Sequence, residues 1–283
     1  MNGGARGGAS GAAGADGARE LREAAALVFV DDLDPDEVPI ELDPADAHHL
    51  VDVLRVGPRE LVVASDGRGS WRPCVLRPRG TGHGPAISGR RPPRRPRAAD
   101  RRGDPDVVLE PAGAIATEPA PSRPLTVAFS LTKGSRAEWT VQKLTELGVD
   151  RIQPLLSTRT VVQLDDRSGP ARDDRLRRVA REAAAQSRNP RLPVVSGTAR
   201  LDAVLAGIAA DGGLAAFAEP GGPALDAATT AVLVGPEGGW TGAELAVAPA
   251  RLGLGPTVLR AETAAVVAGA LLAAVRAGTV LAH

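Results

Sequence analysis

An apolar run, Val232-Leu233-Val234, breaks off into Gly235-Pro236-Glu237-Gly238-Gly239. A second segment, Leu254-Gly255-Pro256-Thr257-Val258-Leu259-Arg260-Ala261-Glu262-Thr263, follows it closely in the chain. Each is a short apolar stretch stopped by a turn, and together they predict two neighbouring strand ends with a ligand-sized gap between them. In an open α/β sheet, ligands sit beyond the carboxyl ends of strands. Glycine at 235, 238 and 239 lets backbone approach a ligand, because no Cβ stands in the way. The loop is not a Walker-type phosphate cradle, since it lacks the Gly-Lys-Ser/Thr ending. No Gly-x-Gly-x-x-Gly follows an early strand, which disfavours a dinucleotide-dependent dehydrogenase.

Around these turns, strand and helix patterns alternate after Pro124. Leu125–Leu131 reads as a strand, and Ser135-Arg136-Ala137-Glu138 as a capping box opening a helix. Val141, Leu144 and Leu147 give that helix an apolar stripe, which Gly148 ends. Arg151–Leu156 is the next strand; a charged helix covers 171–188 and a short one Leu201–Ile208. Leu214–Ala218 and Ala231–Val234 read as buried strands, Thr241-Gly242-Ala243-Glu244 as a second capping box, and Thr257–Leu259 as the last strand. The helix from Thr263 is apolar on nearly every face and must be covered on all sides, in part by a partner subunit. The alternation predicts an α/β domain over 123–283, with a mostly parallel sheet and helices on both faces.

The chain before this differs in texture. Leu27–Val30, Val38–Leu42, Leu61–Ala64 and Trp71–Leu76 are short strand patterns, with a hairpin signal at Asp66-Gly67, and predict a small β-barrel-like domain over 25–122. Residues 1–24 are expected to be a disordered tail, and 77–106, rich in Arg and Pro, a flexible insertion. That insertion reads either as a phosphate-attracting arm or as a segment with no dedicated role.

Formal charge sums to zero over 283 residues, so any nucleic-acid surface must be local. With three Trp, three Phe and no Tyr, an aromatic base-stacking platform is disfavoured. The single Cys74, flanked by apolar residues, reads as a packed thiol in a reducing cytoplasm. His48, His49, His83 and His283 have no metal-ligand spacing with it, so no metal is expected. The apolar stretch 264–275 is too short for a membrane span.

Five motifs in order carry a family resemblance. They are His48-His49-Leu50 with Val53-Leu54-Arg55; Asp66-Gly67-Arg68-Gly69; Lys133–Glu138 with Gln142–Val149; Glu182–Arg188; and the two turns above, the second ending Leu259-Arg260-Ala261-Glu262-Thr263-Ala264. Over roughly 27–76 and 107–276 the chain resembles the ribosomal RNA small subunit methyltransferase E family, SPOUT-class enzymes. The resemblance implies S-adenosylmethionine-dependent methylation of N3 of uracil-1498 in 16S rRNA of the small ribosomal subunit. It also implies an N-terminal PUA-like RNA-binding barrel, a C-terminal α/β domain with a trefoil knot, and a homodimer in the cytoplasm without membrane or metal. The chain departs from the family pattern at Asn189-Pro190, at Ala261 in place of threonine, and in the 77–106 insertion.

Methyl transfer to a uracil nitrogen needs an aligned donor, loss of the N3 proton, and an exposed base. Expected cofactor contacts are Glu219, Gly235, Pro236, Glu237, Gly238, Gly239, Leu254, Gly255, Leu259, Arg260 and Thr263. A side chain at Gly238 is expected to intrude on the donor. Arg260 is the expected stabiliser of charge on the uracil, or else forms an ion pair with Glu262 or Glu237. Glu182 and Gln186, four apart on one helix face, are the other catalytic candidates. Arg55, Lys133, Arg136, Arg159, Arg188 and Arg191 are candidate RNA-phosphate contacts. Two other readings stay open: another SPOUT enzyme acting on a tRNA base or a ribose, and a non-catalytic RNA-binding assembly factor.

Overall fold

The computed structural model describes residues 17, 19–36, 38–79, 106–132, 134–160 and 168–280. The chain divides into two units, Met1–Glu118 and Pro119–His283.

The first unit is built on β1 (Ala26–Phe29), β2 (Ile40–Glu41), α1 (Pro44–His48) running into a π-helical turn at His49–Val53, β3 (Leu61–Ser65), β4 (Ser70–Pro78), β5 (Val107–Pro111) and β6 (Ala116–Thr117). The strands form an open mixed sheet in the order β1-β3-β4-β5-β2, with β6 on β4. The Asp66-Gly67 signal is a β3–β4 turn. Asp66 Oδ1 accepts from the amides of Arg68 (2.7 Å) and Ser70 (3.0 Å), and Gly67 supplies φ 69°. One sheet face packs Val28, Val62, Ala64, Cys74, Leu76 and Leu109 around Leu50 of the helical turn. Within the stretch expected to be a tail, residues 19–23 are helical and Leu21 is buried. The Arg/Pro-rich insertion lies almost wholly outside the described residues.

In the second unit come β7 (Thr126–Ser130), α2 (Arg136–Glu146), β8 (Arg151–Leu156), α3 (Ser168–Gln186), β9 (Val194–Val195), β10 (Ala199–Arg200), α4 (Leu201–Ala210), β11 (Ala215–Ala218), β12 (Ala231–Val234), α5 (Gly242–Ala246), β13 (Arg251–Leu252) and α6 (Ala261–Arg276). Every strand pairing is parallel, in the order β10-β8-β7-β12-β11-β13, with β9 on β8. Strand residues alternate between two cores. Val127, Phe129, Val232 and Val234 face one core with Val141, Leu144, Leu176 and Ala265. Ala128, Leu155, Phe217 and Leu233 face the other with Val204, Ile208 and Trp240. Helices therefore cover both faces, which is why β7 and β12 are buried along their whole length. Chain order reverses at β7, since β8 lies on one side of it and β12 on the other.

Two local expectations are corrected. Ser135 has φ −80° and ψ 5°, not the extended backbone of a capping serine, and makes no cap bond; Glu138 turns instead to Arg175 at 3.0 Å. Thr257–Leu259 is not a strand. The last strand is β13, and Gly253, Gly255 (φ 142°) and Pro256 after it prevent any continuation of the ladder. Among the described residues no helix is long and apolar enough to cross a membrane, and no cluster has metal-ligand geometry.

Candidate functional site

The two turns read from the sequence meet. The exits of β11 and β12, the 253–260 segment after β13 and the start of α6 enclose a cleft of about 650 Å³ including its mouth. Glu219, Gly235, Pro236, Glu237, Gly239, Leu254, Gly255 and Leu259 line it, all of them expected contacts.

Local chemistry explains the shape. Pro236 O accepts from Gly239 N at 2.8 Å, closing a turn that needs Gly239 at φ 69°. Trp240 then folds back under the loop and donates its indole N–H to Ala218 O at 3.1 Å, tying the β12 exit to the end of β11. Its ring packs on Phe217 with centroids 4.5 Å apart. A Cβ on Gly235 would lie 2.9 Å from Trp240 Cε2, so glycine there is a packing requirement. The capping box of Thr241 and Glu244 is formed, and it launches α5 directly from the loop.

Gly238, Arg260 and Thr263 are placed differently from the other expected contacts. None of the three lines the cleft. A Cβ on Gly238 would meet Arg159 Cδ at 3.4 Å. Arg260 is the extended N-cap of α6, between the lining residues Leu259 and Ala261; it is exposed, with no side-chain partner among the described residues. Thr263 is exposed two residues past the helix start.

Arg136, a candidate RNA-phosphate contact, makes the ion pairs that were the alternative reading for Arg260. Its Nη1 lies 3.3 Å from Glu237 Oε1 and its Nε 3.6 Å from Glu262 Oε1. The second oxygen, Glu262 Oε2, is buried without a hydrogen-bond partner among the described residues. Glu182 and Gln186 are exposed on α3 and are not brought to the cleft.

Of the other cations, Arg55 is exposed at φ 56°, just past the π-helical turn. Arg159 donates to Gly238 O at 2.6 Å. Arg188, at φ 58°, donates to Ala185 O at 2.8 Å, and burial pulls its pKa down. Arg191 is half-buried, with its amide held by Asn189 Oδ1 at 3.0 Å. Lys133 lies outside the described residues.

Thr257 and Val258, inside the second turn segment, also line the cleft; sequence reasoning missed the lining residues Ala218, Pro220, Val234 and Trp240, as well as Ala261 and Ala264 at the start of α6. A signal existed for Ala218 and Pro220: Phe217-Ala218-Glu219-Pro220 is a third apolar run stopped by a turn.

Comparison with known proteins agrees with this architecture. Residues 118–273 match the family model of an RNA methyltransferase domain. The chain is 31% identical over 264 residues to the ribosomal RNA small subunit methyltransferase E of Mycobacterium bovis, covering 86% of this chain and 89% of that protein. It is 32% identical over 155 residues to that of Bacillus subtilis, spanning 49% of this chain and 60% of the relative. The fold is shared with the crystal structure of the Neisseria gonorrhoeae enzyme of the same name, solved bound to S-adenosyl methionine. The TM-score is 0.68 at 24% identity, over 88% of this chain and 97% of that one. By its family-model match and its near full-length relatives, the chain belongs to the ribosomal RNA small subunit methyltransferase E family.

Proposed function

We propose that this chain methylates 16S rRNA with S-adenosylmethionine, at N3 of uracil-1498. The observation that carries the reading is the cleft itself, assembled by the two turns and Trp240 in a chain of this family. Its lining suits such a cofactor: apolar Ala218, Val234, Leu254 and Leu259 for an adenine and a methylene chain, glycine backbone at 235 and 239, and the carboxylates of Glu219 and Glu237 for hydroxyl or cationic groups. When bound, that cofactor supplies a methyl group activated by its sulfonium.

The chain's own residues supply position and charge. Glu237 is held in the cleft lining by Arg136. Arg260 is the unpaired cation of this region among the described residues; in this reading it stabilises the anion left on the uracil when the N3 proton goes to solvent.

The wider assembly belongs to the same proposal. The first unit acts as a PUA-like RNA-binding module, for which Arg55 on an exposed turn is a phosphate contact. The second is knotted. In support, Gly253 N donates to Pro223 O at 2.8 Å, so the segment after β13 runs backbone to backbone against the one after β11. Two copies of the cytoplasmic chain pair across the half-buried face of α6 that carries Val266, Val267 and Leu271.

Assembled small subunits and naked 16S rRNA are the two substrates to compare, with the product nucleoside identified by mass spectrometry. The proposal expects 3-methyluridine. A methylated ribose, a methylated guanine or no product overturns it.

A further inference from the structure

The turn leaving β8, residues 157–160, is not part of the cleft lining, yet three separate elements hold it. Thr160 Oγ1 is 2.7 Å from the fully buried Ser130 Oγ at the end of β7, and accepts from Ser157 N at 2.8 Å. Thr158 N donates to Glu244 Oε1 at 2.8 Å. Arg159 Nη1 donates to Gly238 O at 2.6 Å, with its methylenes over the Gly238 Cα.

Glu244 is the joint of this arrangement. Its Oε2 closes its own capping box, accepting from Thr241 N at 2.7 Å and Thr241 Oγ1 at 2.8 Å. A capping box asks no more of a glutamate than that. Here the second oxygen crosses 86 positions of chain to hold a turn from another strand, and the residue is 7% exposed. A buried carboxylate persists where its lone pairs are taken up, as they are here.

We infer that Glu244 and Arg159 are positioning residues for the cofactor: they clamp the 157–160 turn behind the Gly235–Gly239 loop and fix the loop's shape without touching the ligand. The inference rests on the cleft being the S-adenosylmethionine site. Arg159 then serves as a brace, its guanidinium spent on a backbone carbonyl, and its loss is felt by the cofactor even when no RNA is present.

The test is calorimetric titration of S-adenosylmethionine, without RNA, into the full chain and into Glu244→Gln, Arg159→Ala and the double variant, each checked for a cooperative thermal transition. Loss of one buried charge-assisted bond raises Kd about tenfold for Glu244→Gln, and about threefold for Arg159→Ala. Because both act through one turn, the double variant falls short of the product of the two effects. Kd values within about twofold of the parent, or strictly multiplicative effects, overturn the brace. Should Glu244→Gln fail to fold, Arg159→Ala decides alone, since a residue that only contacts RNA leaves this Kd unmoved. No binding to the parent chain overturns the cleft reading, and the brace with it.

Discussion

Gly235 is fixed by its neighbour. The indole of Trp240 fills the space a Cβ would need, 2.9 Å away, and that indole also bonds Ala218 on the facing strand. Gly235→Ala therefore pushes the cleft floor from below, costing about 1–3 kcal/mol of stability by overpacking. Calorimetry with S-adenosylmethionine is expected to show affinity lowered tenfold or more. Gly238→Ala, whose Cβ makes ordinary contact with Arg159, is expected to leave it within a few-fold. Arg260→Ala separates binding from turnover: with no structural partner to lose among the described residues, it is expected to keep cofactor affinity and lose most methylation. A variant with full turnover in a methyl-incorporation assay removes Arg260 from the chemistry. Cys74 has a simpler fate. Burial pushes its thiol up to about 11, against the pull of Arg72's charge and a hydrogen bond to the Ala64 backbone. The native fold holds the thiol protonated, so its stabilisation is complete at neutral pH. It is lost only as pH rises from the ordinary thiol value, about 8.5, toward the raised one. A thiol reagent at pH 8 is expected to leave the folded protein untouched and to label it once unfolded.

At the level of elements, legibility followed chain-local physics. Arg151–Leu156 and Ala231–Val234 are strands with the bounds read from sequence, because a run of apolar residues between turn signals encodes a buried parallel strand by itself. Two capping boxes looked alike in sequence, but only one formed. Thr241 takes extended backbone before α5, whereas Ser135 is held near-helical and its glutamate has an arginine on α3 to pair with. Nothing within four residues encodes Arg175, so the difference was not readable. Thr257–Leu259 misled for the opposite reason: β-type residues there serve as a cleft wall, where Val258 stays 84% exposed. α6 was legible as a covered helix, and one detail of its cover is testable. Gly269 faces α2 so closely that a Cβ would lie 2.6 Å from Leu144 Cδ2 and 3.2 Å from Val149 Cγ2. Gly269→Ala gains helix propensity but overpacks that contact, and is expected to lose about 1–3 kcal/mol in denaturant unfolding.

For the whole molecule, the division into a mixed sheet and an all-parallel one was open to the sequence because strand patterns run unbroken before Pro119 and alternate with helices after it. The site followed from the same logic, with strand ends on one edge of a parallel sheet and glycine where backbone must come close. What stayed hidden were the partners supplied by distant chain: Trp240 on Ala218, Arg136 on Glu237 and Glu262, Glu244 on Thr158. These contacts turn a pair of loops into a cleft of fixed shape, and the methyltransferase reading depends on that shape holding one sulfonium cofactor. Titration of S-adenosylmethionine into the full chain and into Gly235→Ala, followed calorimetrically, addresses this directly. One saturable site per chain is expected in the parent, and a Kd raised at least tenfold in the variant. Absent binding, or equal affinity in the two, contradicts that reading.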